Sequence, residues 1–278
     1  MTVHTRNRLF KEALFFSFLV FTLAITMLPF IFMSAEALAP SPIANVEGSR
    51  YLPQNWSLES FRQLMGVGDI ARFAMNSMIH AFGYTFLSLL LNSLAAFAFA
   101  RMVFPGRDRL FTMLILAMMV PGQVIMIPVF IIVKSLGLLN SFAGLILPGC
   151  AHAFGIFAVR QFMRDLPDEI FDAARTDGCS DIELFIHIAL PLCRPILASL
   201  AVTSFIYTWD QFLYPLVIMQ DEPMFTLPVA LVSLTSQHFG SWGMLLAGGV
   251  VTALPSLIVF ILAQRAYVAG ITGGSSKG

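Results

Sequence analysis

The chain has 278 residues, 58% of them hydrophobic and only 12% charged, with a mean hydropathy of +0.81. A soluble domain carries about 25% charged residues, so this composition cannot cover a water-facing surface, and 27 Phe supply too much apolar area for disorder. Sixteen Lys and Arg balance sixteen Asp and Glu, leaving no field to attract nucleic acid, and three scattered Cys offer neither a disulfide framework nor a metal knuckle.

Six long apolar runs follow one another: 13–33, 73–100, 110–133, 142–159, 196–219 and 244–263. At about 1.5 Å per helical residue each can cross a hydrocarbon layer of about 30 Å, the fourth only just. Together they hold 135 residues and a single formal charge, Asp210. The fold class expected is all-α, with six transmembrane helices in one membrane domain. Placing the N-terminus inside puts 12 Lys and Arg in the inner segments and 4 in the outer ones, so both termini are expected in the cytoplasm. Arg6, Arg8 and Lys11, an apolar run and Ala37-Leu38-Ala39 mimic a cleavable signal. The run of 21 residues exceeds the about 7–15 of a signal core, so a retained first span is expected.

The outer segment 34–72 is rich in Pro, Gly, Ser and Asn, and its Ser57-Leu58-Glu59-Ser60-Phe61-Arg62 stretch suits the start of a short surface helix. In the third span Pro121, Gly122 and Pro128 predict a loosened or kinked helix, as a gate needs or as packing in membrane helices tolerates. A Gly137/Asn140/Ser141 turn then joins spans three and four. His80 and His152 fit interhelical hydrogen bonds better than ligand roles, and Cys150, Cys179 and Cys193 fit small packing positions.

The inner segment 160–195 is far longer than a turn. Pro167, Asp168 and Glu169 suit a first helical turn, with Leu166, Ile170, Ala173 and Ala174 at helical spacing behind them. Gly178 suits a left-handed helix stop, and Ser180 with Glu183 forms the pattern of a capping box. A second helix follows, with Ile182, Phe185, Ile186 and Ala189 apolar, ending at Pro191 and Pro195. Seven acids against four Arg is the wrong sign for resting on anionic lipid, so an amphipathic helix pair that docks into another protein is the favoured reading.

The run Asp172-Ala173-Ala174-Arg175-Thr176-Asp177-Gly178-Cys179, followed by Ile188 and Leu190-Pro191, resembles the EAA loop of ABC-importer permeases, E-A-A-x-x-D-G-A and then I-x-L-P. Asp172 replaces the usual Glu and Cys179 the usual Ala; the charge and the small side chain are kept. Met119-Val120-Pro121-Gly122-Gln123, Gly137-Leu138-Leu139-Asn140, Leu145-Ile146-Leu147-Pro148, Trp209-Asp210-Gln211-Phe212-Leu213-Tyr214-Pro215, Thr226-Leu227-Pro228-Val229 and Gln264-Arg265 are similar to the carbohydrate branch of that family. The likeness covers about residues 73–278 and is to the second permease of maltose-type importers, and the Gly270–Gly278 ending resembles a natural C-terminus.

The resemblance implies a non-catalytic subunit in the inner membrane of a prokaryote, with no cofactor of its own. It implies a related, non-identical second permease, two ATPase subunits that bind ATP and Mg, and an extracytoplasmic solute-binding protein. It assigns ATPase coupling to Asp172, Ala173, Ala174, Asp177 and Gly178, and a reach toward the binding protein to the outer stretch 220–243. The sequence holds no G-x-x-x-x-G-K-[ST] loop to cradle ATP phosphates, in keeping with energy from a partner.

Asp210, some 15 residues above Pro195, falls in the outer half of its span. With Tyr207, Trp209 and Gln211 it forms a candidate pathway set, aromatic faces for a sugar ring and acceptors for its hydroxyls; an interfacial aromatic belt with one acid is the other reading. An ion-coupled secondary transporter of a small polar solute is the alternative function, expected to show charges or broken helices near the middle of several spans. A membrane enzyme would need convergent His, Asp or Glu within the spans, which the sequence lacks.

Overall fold

The computed structural model describes residues 3–39, 56–237 and 242–272. Residues 40–55 of the 34–72 segment, 238–241 of the 220–243 stretch and the 273–278 tail lie outside the described residues. The described secondary structure is helical throughout. Three helices are long and apolar enough to cross a membrane alone: α1 (Val3–Ala37) from Lys11 onward, α3 (Ile70–Arg101) and α14 (Trp242–Thr272) to Arg265. Bent pairs raise the number of spans to as many as six.

The breaks fall where the chemistry of the backbone weakens the helical ladder. Span three is α4 (Arg107–Ala117) and α5 (Gly122–Ser135), bent by 105°. Pro121 lies between them in an extended conformation; it has no N–H to give, and it disfavours helix in the residue before it. Pro128 stays inside α5. The expected kink is therefore a full break, and it sits at Pro121 alone. Span four is α6 (Phe142–Ile146), a 3-10 turn containing Pro148, and α7 (Ala153–Arg164), bent by 48°. Helix α7 runs five residues past the expected span end at 159, so Arg160 and Arg164 are helical rather than loop residues. Span five is α11 (Arg194–Trp209) followed, after a break at 210–212, by α12 (Leu213–Ile218).

The chain divides into two compact units. One comprises Met1–Asp69 and Leu231–Ala253. In it Ala35, Ala37 and Ala39 at the end of α1 are buried, as are Ser60 and Leu64 of α2 (Glu59–Val67), the expected short helix. Here too α13 (Leu227–Gln237) brings Leu231 against Gly248 of α14. An apolar helix thus stands within 220–243, the stretch expected on the outer side; its second residue, Pro228, starts it where a missing N–H is harmless.

The other unit comprises Ile70–Ala230 and Leu254–Gly278 and is built on α3, which packs against both α7 and α11. A polar stripe at i, i+4 spacing runs down α3 (Asn76, His80, Tyr84, Ser88, Asn92), all of it buried. Asn76 donates to the carbonyls of Pro223 (3.0 Å) and Phe225 (2.9 Å). Tyr84 donates to the Gly149 carbonyl (2.8 Å), and Asn92 accepts from the His152 N–H (3.0 Å). These side chains satisfy backbone groups that the breaks leave unpaired, which is what a lipid environment requires. The His152 ring also caps α7, Nδ1 accepting from the Gly155 N–H at 3.0 Å, and stacks on the Tyr84 ring of α3. His80 meets Tyr84 edge-on, and its Nε2 has no hydrogen-bond partner among the described residues. Cys150 and Cys193 are buried packing residues, the latter in the core beneath the inner loop.

Candidate functional site

The loop after α7 folds as the sequence pattern requires. Helix α8 (Asp168–Thr176) starts after Pro167 with two acids in its first turn and ends at Gly178, whose φ of +89° is left-handed. Ser180 caps α9 (Asp181–Glu183) in a reciprocal box, its N–H donating to the Glu183 carboxylate at 2.8 Å. A π-helical stretch (Leu184–Ala189) and α10 (Leu190–Leu192) continue this second helix, and a 77° turn at Cys193 leads into α11. Pro191 is carried within the helix rather than ending it.

One side of this pair is sunk into the bundle. Phe171 and Ala174 of α8, with Leu184, Phe185 and Ala189, join Ala96, Phe97, Val159, Met163 and Leu200 in a single apolar core. Within α8 the residues that pack inward are Phe171 and Ala174, while Ile170 and Ala173 of the expected apolar stripe are exposed. Of the apolar positions expected in the second helix, Ile182 (71% exposed) and Ile186 are exposed while Phe185 and Ala189 are buried. The pair therefore presents an unpartnered surface of Ile170, Ala173, Ile182 and Ile186, with Asp172, Asp177 and Gly178 also exposed. Among the described residues Asp172 pairs with Arg175 alone, at 3.6 Å.

Arg101, the last residue of α3, locks the loop in place, a role its sequence position did not reveal. Its guanidinium lies 4.0 Å from the Phe171 ring centroid and donates to the Leu166 carbonyl at 2.8 Å, to the Met163 carbonyl and to the Asp168 carboxylate. In return Arg175 donates to the Arg101 carbonyl at 3.0 Å.

At the other functional region, the breaks of spans three, four and five border a cavity of about 360 Å3, lined by Tyr84, Gln123, Met126, Tyr207, Gln211 and Tyr214 among others. Small-molecule pockets run from about 300 to 1,000 Å3 and are mostly apolar with a few placed polar groups. Tyr84 and Tyr214 spend their hydroxyls on the carbonyls of Gly149 and Gly144, both at 2.8 Å, which fixes their rings. Gln211 and Tyr207 sit 3.4 Å apart and face the cavity together. No Asp, Glu, Lys or Arg is among the lining residues.

The four expected pathway residues are thus split. Tyr207 and Gln211 line the cavity. Trp209 is buried and stacked on Phe205, its ring offered to the core and not to a solute. Asp210 ends α11 and accepts a hydrogen bond from the Ser256 hydroxyl of α14 at 2.9 Å, outside the cavity wall. Tyr84, Gln123 and Tyr214, absent from that set, contribute to the wall from three different spans.

Comparison with known proteins gives these features a family. The model of binding-protein-dependent transport system inner membrane components matches residues 88–267. An arabinooligosaccharide transport system permease protein, AraQ, of Halalkalibacterium halodurans is 39% identical over 192 residues, 69% of each chain. The lactose transport system permease protein LacG of Rhizobium radiobacter is 35% identical, covering 74% of this chain and 75% of that one. The sn-glycerol-3-phosphate transport system permease protein UgpE of Shigella flexneri is 32% identical over 86% of each. A bacterial ABC transporter that imports the acidic polysaccharide alginate shares the fold, with a TM-score of 0.80 at 20% identity over 95% of this chain and 98% of that one.

The chain belongs to the binding-protein-dependent transport system inner membrane components. It is a membrane-embedded permease, and the broken spans, a mark also expected of a secondary transporter, are here part of that architecture.

Proposed function

We propose that this chain is the permease subunit of an ATP-driven importer of uncharged saccharides, forming half of the pathway beside a related permease as one membrane domain. Both termini and the 160–195 loop face the cytoplasm in this reading, and a binding protein delivers the solute from outside. The observation that carries it is the loop, fixed by Arg101 on one side and bare on the other at Ile170, Ala173, Ile182 and Ile186. Apolar helix faces rimmed by acids seat in grooves of partner proteins, and the partner required is an ATPase, present in two copies. ATP and Mg bind there. Asp172, Ala173, Ala174, Asp177 and Gly178 shape the contact and pass ATPase closure to the spans as a rigid-body shift.

The saccharide reading rests on the names of the relatives and on the cavity. Ring faces at Tyr84, Tyr207 and Tyr214 suit the apolar faces of a sugar, and Gln123 and Gln211 suit its hydroxyls. With no cation in the wall, a neutral sugar fits better than a phosphorylated or uronic one. The test is a photo-crosslinking amino acid at Ile182 in cells expressing the whole transporter. A crosslink to a Walker-motif ATPase is expected; crosslinks to lipid alone would overturn the coupling assignment.

A further inference from the structure

A second cavity, of about 480 Å3, opens at the same end of the bundle as the inner loop, between the ends of α3 and α7 and the start of α4. Its walls bring together four guanidiniums (Arg101, Arg107, Arg160 and Arg164) and two carboxylates, Asp108 and Asp168. The terminal nitrogens of Arg101 are taken by Asp168 and two carbonyls, and its plane by Phe171, while its Nε has no acceptor among the described residues. Arg107 is bonded to Asp108 and to the Met102 carbonyl, both at 3.2 Å. That leaves Arg160 and Arg164 without an ion pair among the described residues, Asp108 acting on Arg160 only at longer range.

Arg160 is the unusual one. It is 7% exposed, its Nε donates to the Phe99 carbonyl at 3.3 Å, and its guanidinium stacks 3.7 Å from the Phe111 centroid. Its terminal nitrogens have no acceptor among the described residues, and the Arg164 side chain makes no hydrogen bond or ion pair there either. The excess of Arg at inner membrane surfaces accounts for exposed arginines, but not for one nine-tenths buried, held rigid by stacking, with its open fork turned into a cavity. A buried cation is stable only when paired, and a planar fork of N–H donors matches the oxygens of a phosphate. Beside the site, Leu110 and Met113 of α4 are exposed and apolar, a surface on which an acyl chain can lie.

We propose that Arg160 and Arg164 bind the phosphate of an anionic phospholipid headgroup in this cavity. Only its placement in the inner leaflet rests on the permease orientation given above. Because Asp168 and Arg101 share the cavity wall, the bound headgroup lies next to the clamp that seats the inner loop.

The transporter, purified whole with its partners in mild detergent, is titrated with phosphatidylglycerol or phosphatidylcholine and read by native mass spectrometry. Phosphatidylglycerol is expected to bind in preference, and Arg164→Gln, a change at an exposed position, is expected to weaken that binding about fivefold while Arg164→Lys restores most of it. Arg160→Gln removes a buried group and is compared only if the complex still assembles. Should the lipid show no preference while millimolar inorganic phosphate slows amide exchange at 107–112 and 160–164, and does so only when Arg164 is intact, the site stands with a soluble phosphate as its occupant. A phosphatidylglycerol preference that survives Arg164→Gln, or no response to either probe, overturns the proposal. Presence of the ATPase in the same spectra reports on the permease reading separately.

Discussion

Arg101 and Phe171 are 70 positions apart in the chain, yet the guanidinium of one lies 4.0 Å from the ring centroid of the other. The contact ties the end of α3 to the first turns of α8, so the inner loop cannot shift without moving the central helix of its unit. Arg101→Ala leaves the Met163 and Leu166 carbonyls and the Asp168 carboxylate without their donor. Asp168 is exposed, so the cost is mainly that of the two carbonyls left without their charged donor, about 3 kcal/mol. The expected outcome is a chain that still inserts, with substrate-stimulated ATPase activity at least tenfold down and faster proteolysis within 165–190. Arg101→Lys recovers the charge but not the fork, and an intermediate rate is expected in reconstituted complexes.

Gly178 isolates backbone conformation from packing. An added Cβ would meet no atom within 4 Å, so the cost of substitution is that of φ +89° alone. Ala there costs about 1–2 kcal/mol, Val more, and Asn less because its side chain tolerates the left-handed region. Transport rates in the order Gly, Asn, Ala, Val are expected at equal membrane levels. An order set by side-chain volume alone would point to a partner surface over Gly178 instead of a conformational demand.

The inner loop was legible because its determinants are local. Pro167, Gly178 and the Ser180–Glu183 box act within one or two turns of themselves, and each is found in its expected role. The apolar segments were legible by the same logic, since the absence of charge is a property of a segment, and helices run through each of them. What the sequence concealed depends on distant partners. Arg101 reads as one more inner-face cation until α7 and α8 bring carbonyls 62 and 65 residues away to its fork. Trp209 and Tyr207 are two aromatics in one turn of helix, and only the position of Phe205 and of the break at 210–212 decides which faces the cavity. Ile170 and Phe171 are likewise adjacent apolar residues; the core formed with Phe185 and Met163 selects Phe171 and leaves Ile170 outside.

The capping box predicts a pH dependence with a definite sign. Donation from the Ser180 backbone N–H, and then from its hydroxyl, holds the Glu183 carboxyl below the ordinary carboxylate range. A carboxylate with a depressed folded pKa adds stability that is present above its unfolded value and is lost as pH falls through the folded one. Amide exchange over 181–186 is therefore expected to be slower in the wild type than in Glu183→Gln at neutral pH. The two should converge in acid below the ordinary carboxylate range. A difference that persists unchanged there would assign the cap to shape and not to charge.

Tyr207, Gln211, Trp209 and Asp210 stand in one short stretch, and the structure separates their expected phenotypes. Tyr207 is 60% exposed toward open space and Gln211 lines the same cavity, so Tyr207→Ala and Gln211→Leu should leave membrane levels near wild type. Loss of one stacking face or one hydrogen bond to a sugar hydroxyl is worth about 1–2 kcal/mol, a fall in uptake of about five- to thirtyfold. Trp209→Ala opens a void beside Phe205 in a buried site and costs about 3–5 kcal/mol, so it should lower the amount of assembled protein instead. Asp210→Asn keeps an acceptor for the Ser256 hydroxyl and should leave uptake within about threefold, whereas Asp210→Leu strands that hydroxyl and should destabilise the break between α11 and α12. Uptake normalised to membrane level, measured for all five variants with a neutral oligosaccharide, checks the division. If Asp210→Asn abolished uptake while Tyr207→Ala spared it, the pathway would have to run along the Ser256 side of α11 and not through the tyrosine-lined cavity.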